Sequence, residues 1–138
     1  MALDKVKEFF RQFSLEDKII ELNTSSATVE LAAKALGCES KRIAKTLSLK
    51  LANRYILIVM AGDARIDNAK YKAEFGTKAK MLSADEVLVH IGHEVGGVCP
   101  FGIDENIDVY LDKSLERFET VFPACGSINS AIELSIDS

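Results

Sequence analysis

A chain of 138 residues, 48% of them hydrophobic and 28% charged, can bury one sizeable core but cannot hold a catalytic domain and a separate binding domain. The formal charge of −4 argues against nucleic-acid binding only if it is uniform. It is not: residues 1–33 carry four basic and six acidic side chains, residues 34–80 eleven and four, and residues 81–138 two and eleven.

Leu3, Val6, Phe9, Phe10 and Phe13 recur at helical spacing, which predicts an opening amphipathic helix with an aromatic edge on the core. Ile19 to Leu22 reads as a short strand. A helix is expected from Thr28 to Leu36, capped by Ser26 or Thr28 and stopped by Gly37. From Lys45 to Leu51 the chain alternates, with Thr46, Ser48 and Lys50 on one face and Lys45, Leu47, Leu49 and Leu51 on the other. Tyr55 to Met60 is almost wholly apolar, as in a central strand, and Ala52-Asn53-Arg54 suits a hairpin between the two.

Asp67 to Phe75 suits a helix stopped at Gly76, and Ser83 with Glu86 forms a capping box for a helix ending at Gly92. Ile107 to Leu111 and Thr120 to Phe122 read as strands, Leu115 to Phe118 as a helical turn, and Ile132, Leu134 and Ile136 as a closing strand. Interleaved helices and strands with short links predict an α/β (α+β) fold. It would be a single compact domain over residues 1–138, with a mixed, twisted sheet flanked by helices.

Tyr55 to Ala61 is the longest apolar run, far short of the roughly 20 residues that cross a bilayer, so no membrane segment is expected. Cys38, Cys99 and Cys125 include no Cys-x-x-Cys pair, which argues against a disulfide framework and a zinc site and for a reducing, cytoplasmic setting. In the basic middle third, Lys41, Arg42, Lys50, Arg65, Lys70, Lys72, Lys78 and Lys80 would attract phosphates if the fold gathered them on one side. The alternative is a set of solvated lysines.

Lys45 shares a strand face with three leucines. Either it sits in a partly apolar setting, where such amines bind anions, stabilise developing negative charge or act as bases, or it extends past the strand end into water. The second candidate is Val95-Gly96-Gly97-Val98-Cys99-Pro100-Phe101-Gly102-Ile103. Its glycines would let backbone amides approach a carbonyl or oxyanion, with Pro100 fixing the chain direction, unless the segment is only a tight connection. Gly126-Ser127-Ile128-Asn129-Ser130 offers hydroxyls and an amide that could line the same pocket. Gly62-Asp63, with Arg65, Asp67 and Lys70, offers paired charges after the apolar strand. Cys99 with His93 would make a nucleophilic pair only if the fold joined them, and His90-x-x-His93-Glu94 is not a zinc signature.

Taken in order, Ala32-Ala33-Lys34-Ala35-Leu36-Gly37, Ile43-Ala44-Lys45-Thr46-Leu47, Gly96-Gly97-Val98-Cys99-Pro100-Phe101-Gly102 and Gly126-Ser127 resemble the YbaK/EbsC family of aminoacyl-tRNA deacylases, whose editing domain prolyl-tRNA synthetases also carry. The likeness runs from about residue 20 to residue 136. It implies a barrel-like mixed sheet and a cleft for the 3′ end of aminoacyl-tRNA. The activity implied is hydrolysis of the ester on mischarged tRNA, tRNA(Pro) in particular, with no metal or cofactor and with a synthetase as a further partner. Lys45 matches the family's functional lysine. The amides of Gly96, Gly97, Val98 and Cys99 would stabilise the tetrahedral intermediate, and Thr46, Asp63, Pro100, Gly102, Gly126 and Ser127 would shape the substrate site. The cysteinyl-tRNA(Pro) branch has glycines and basic residues where this chain has Gly126 to Ser130, which points to another small or mid-sized amino acid. The alternative is a catalytically idle relative that binds tRNA or a nucleotide.

Overall fold

The computed structural model describes residues 2–135. In chain order they form α1 (Ala2–Arg11), β1 (Ile20–Glu21), α2 (Val29–Leu36), β2 (Ile43–Lys50), β3 (Tyr55–Ala61), α3 (Asn68–Phe75), α4 (Ala84–Glu86), β4 (Asp108–Leu111), β5 (Thr120–Pro123), β6 (Ser130–Ala131) and β7 (Leu134–Ser135). The apolar stretch at Tyr55 is the centre of the fold. Ile56 and Leu57, pointing to opposite faces of β3, are both fully buried, each contributing about 2 kcal/mol through removal from water.

β3 is flanked by β2, antiparallel through the expected hairpin, and by β4, parallel to it. The five-stranded sheet has the order β4-β3-β2-β5-β7, and β1 pairs with β6 in a second small sheet. A bridge between Ala124 and Ala131 joins the two, so the mixed sheet curls into a half-barrel. On one sheet face Leu49, Ile56, Ile58 and Met60 pack with Tyr71 of α3. On the other, Leu57 packs with Leu82, Val87, Ile91 and Ile107.

The local signals act where they were expected. Thr28 accepts from the Leu31 amide at 3.1 Å, Asp67 caps α3, and Ser83 and Glu86 form the reciprocal capping box. After α4 the chain continues as a π-type turn, Val87–Ile91, that ends at Gly92 in the left-handed conformation. Two expectations need correction. Phe13 lies beyond the end of α1 and is 57% exposed, so the aromatic edge on the core is made by Phe9 and Phe10. The closing strand is two pieces, because the chain changes partners: Ser130–Ala131 pairs with β1 and Leu134–Ser135 with β5, while buried Ile132 donates to the Pro123 carbonyl. Ile136 lies outside the described residues.

α1 positions the site indirectly. Val6 and Phe10 form a core cluster with Cys99, Cys125 and Ile132, and the Phe10 and Phe101 rings lie 4.6 Å apart. One helix thus holds down both the glycine loop and the 125–132 segment.

Candidate functional site

β2 is paired along one edge only in part. β5 pairs with it at Ile43 and Ala44 and then diverges. Farther along, Ser48 accepts from the Leu82 amide and Lys50 donates to the Lys80 carbonyl. Backbone groups alternate direction every second residue, so Thr46, between those two zones, points its N–H and C=O into a gap where no strand pairs with them. A cavity of about 280 Å³ fills this gap.

The cavity is walled by Lys45 and Thr46 of β2, the start of α2 from Ser26 to Val29, the loop residues Gly96 and Val98, and Ser130 near β6. Its other walls are mostly aliphatic, with Phe122 the one aromatic ring. The start of α2 turns the positive end of the helix dipole toward the space. Thr46 Oγ1 is buried with no hydrogen-bond partner among the described residues, an unmet polar group beside the cavity.

Lys45 is neither sunk among leucines nor free in water. It is half-buried, and its Nζ donates to the Gly62 carbonyl at 3.2 Å and to the Ala64 carbonyl. An ammonium has three N–H groups, so one is left for a ligand. The turn after β3 is therefore the clamp for the lysine, and Gly62 is required there because a Cβ would lie 2.1 Å from the Ser40 carbonyl oxygen.

Within the glycine loop the roles divide. Gly97, expected as an oxyanion donor, has its amide engaged within the protein: it donates to the Glu94 carbonyl at 2.9 Å and accepts from Gly126 at 2.9 Å. A Cβ on Gly97 would meet Ser127 N at 2.6 Å, so its glycine serves backbone-on-backbone packing. The amides of Gly96, Val98 and Cys99 have no protein acceptor among the described residues. Gly102 packs on the Lys5 backbone, Gly126 on Ala2, and Asp63 makes a bidentate pair with Arg117 that holds its carboxyl below the usual range. Neither these residues nor Pro100 and Ser127 belong to the cavity wall, although the Ser127 hydroxyl lies 2.6 Å from that of the wall residue Ser130.

Cys99 and His93 do meet, with Sγ 3.5 Å from Nε2, but both are fully buried away from the cavity. His93 Nε2 is also 2.9 Å from the Phe101 carbonyl, which can only accept, so that nitrogen carries the proton and cannot take one from the thiol. Burial pushes the Cys99 thiol up to about 12 and the His93 imidazole down. The pair is structural. Cys99→Ala is expected to lower stability by roughly 1 kcal/mol through the lost packing, read as a shift of the denaturant midpoint. A midpoint equal to that of the parent chain would refute the packing role.

Ser130 lines the cavity, in the segment expected to do so, whereas sequence reasoning missed Ser26, although the run Ser25-Ser26-Ala27-Thr28 at a helix start was a visible cluster of polar groups. Among the described residues no helix is long and apolar enough to cross a membrane.

The sequence profile of the aminoacyl-tRNA editing domain matches residues 24–138. The uncharacterized protein YwhH of Bacillus subtilis is 57% identical over 136 residues, which cover 98% of this chain and 87% of that one. A proline–tRNA ligase of Thermosipho melanesiensis is 32% identical over 90 residues, 64% of this chain but only 16% of the ligase. Among solved structures, a candidate trans-editing enzyme for prolyl tRNA synthetase superimposes with a TM-score of 0.88 at 26% identity, covering 99% of this chain and 87% of the other. The protein APE2540, described as hypothetical, gives 0.85 at 30% identity, covering 95% and 88%.

Proposed function

Because the chain belongs to the aminoacyl-tRNA editing domain family, we propose that it is a deacylase that hydrolyses the ester of mischarged aminoacyl-tRNA, with the 3′ end in the cavity along β2. The observation that carries this reading is the single cavity that brings the open edge at Thr46 together with Lys45, Gly96 and Val98, the two loop amides having no protein acceptor among the described residues. A substrate carbonyl drawn against that edge meets donors from the loop on one side and the lysine on the other. Water adds to the ester carbon, the carbonyl oxygen becomes an oxyanion, and the C–O bond to the ribose breaks. The leaving oxygen takes a proton, and the products are the free amino acid and uncharged tRNA. An aminoacyl ester is already activated, so positioning of water and stabilisation of the oxyanion account for most of the rate.

The cavity is small and, apart from Lys45, uncharged. Ser26, Thr46 and Ser130 supply hydroxyls, Val29 and Ala32 supply methyls, and among the described residues no carboxylate or guanidinium lines the wall. Such a wall favours a small or mid-sized uncharged side chain, and the orphan Thr46 hydroxyl favours one that brings a hydrogen-bond partner. The likeness to prolyl-tRNA synthetases supports tRNA(Pro) as the carrier and a synthetase as a partner. The test is a panel of tRNA(Pro) and other tRNAs charged with alanine, serine, threonine, cysteine and valine, assayed for release of the amino acid. Turnover of one uncharged class well above the others supports the reading. Binding without turnover of any member would make the chain an idle relative.

A further inference from the structure

Apart from Lys45 and Lys34, which is exposed on α2, the fold divides the basic middle third into two sets. Lys41, Arg42, Lys50 and Arg54 meet the carboxylates of Glu39, Glu133, Glu86 and Asp108 and are part of the architecture. Arg65, Lys70, Lys72, Lys78 and Lys80 are exposed and have no ion pair among the described residues. All five lie on α3 or its flanks. Between α3 and the edge strand β4 runs a second, open groove of about 680 Å³. Its rim carries Arg65, Lys70 and Lys113, and Tyr71, Phe75 and Tyr110 also line it.

Two details mark this groove as more than a solvated cleft. Tyr71 is 4% exposed and lines the groove, yet its hydroxyl has no hydrogen-bond partner among the described residues. Two of the three acids along the groove accept from backbone amides, Asp67 from Lys70 and Asp112 from Ser114, each at 3.0 Å. All three keep their charge and offset Arg65, Lys70 and Lys113, so the positive excess around the groove comes from the exposed Lys72, Lys78 and Lys80 on and beside α3. The groove also adjoins the ester site, since the Lys45 ammonium is bonded to the Ala64 carbonyl and the next residue, Arg65, is on the groove rim.

We infer that the groove between α3 and β4 seats the sugar-phosphate backbone of the tRNA acceptor arm, with Arg65, Lys70 and Lys113 on phosphates. This rests on the deacylase reading for the identity of the polyanion. The 3′ end at Lys45 leads over Arg65 into the groove, so one surface holds the nucleic acid while the other holds the ester. A chain of net charge −4 thereby recruits a polyanion through a local field.

The test is the triple variant Arg65→Ala, Lys70→Ala, Lys113→Ala, with its melting temperature checked. Binding of uncharged, labelled tRNA is measured by anisotropy from about 50 to 200 mM salt. The variant is expected to bind at least tenfold more weakly at low salt, with a log–log salt slope shallower by about 2–3, since each phosphate contact contributes about 0.9. KM for charged tRNA should rise and kcat stay, while hydrolysis of a stemless aminoacyl-adenosine should be unchanged. Affinity within twofold of wild type, or an equal loss on aminoacyl-adenosine, would overturn the inference. Hydrolysis of charged tRNA with KM unmoved removes the groove and leaves the deacylase reading intact. Salt-sensitive binding through the groove with no ester cleaved does the reverse.

Discussion

Lys45→Ala is expected to lower kcat/KM for a mischarged tRNA by about 10²- to 10³-fold, roughly 3–4 kcal/mol of transition-state stabilisation, with little change in affinity for uncharged tRNA. The reason lies in how the amine is held. The carbonyls of Gly62 and Ala64 fix Nζ and occupy two of its protons, so the third is oriented before substrate arrives. Such a donor requires no reorganisation when negative charge develops on the ester oxygen, and its attraction for that charge exceeds its attraction for the neutral carbonyl. Lys45→Gln, which keeps a donor but no charge, should recover only part of the loss. Measuring kcat and KM separately at saturating tRNA decides the matter. Full activity in the alanine variant would remove Lys45 from the chemistry.

Gly97→Ala is expected to be the most damaging small substitution in the loop, costing about 2–3 kcal/mol of stability as overpacking against rigid backbone. For a domain of this size that is a fall in Tm of roughly 10 °C. A Cβ there would approach Ser127 N at 2.6 Å, Gly126 C at 2.7 Å and Ser127 C at 2.9 Å, all backbone atoms that cannot rotate aside. Relief requires parting the loop from the 126–127 turn and breaking the bond from the Gly126 amide to the Gly97 carbonyl. Its neighbours Gly96 and Val98 line the cavity, so turnover below the melting range should also fall, by about tenfold or more, through misplacement of the amides. Gly76→Ala is the control. It has φ +74 and open space around the built Cβ, so only the left-handed backbone penalty of about 1 kcal/mol applies and activity should hold. Equal melting temperatures for the two variants would refute the packing argument.

The site was partly legible before the fold was known. Lys45 stood out because a period-two strand placed an amine among leucines, and the loop stood out because its glycines cluster between a helix and a strand. What they do was less legible. Glycine signals a missing side chain but not what occupies its place: at Gly96 and Gly97 it is Ala27 and the Gly126–Ser127 backbone. Cys99 and His93 are six residues apart, a spacing that does not announce their contact, and where they meet burial disfavours both charged forms.

From the sequence by itself came what depends on neighbours within a few residues: the caps at Thr28, Asp67 and Ser83, the stops at Gly37, Gly76 and Gly92, the β2–β3 hairpin, and the register that singles out Lys45. Backbone sterics and hydrogen-bond periodicity are local and leave their mark on adjacent residues. Only the tertiary structure decided that β5 leaves β2 after Ala44 and opens the edge at Thr46, that two distant carbonyls hold the lysine, and which cations keep a carboxylate. Those outcomes depend on groups brought together from far along the chain, down to Arg42 and Glu133 in one ion pair, and no spacing in the sequence encodes a distance in space.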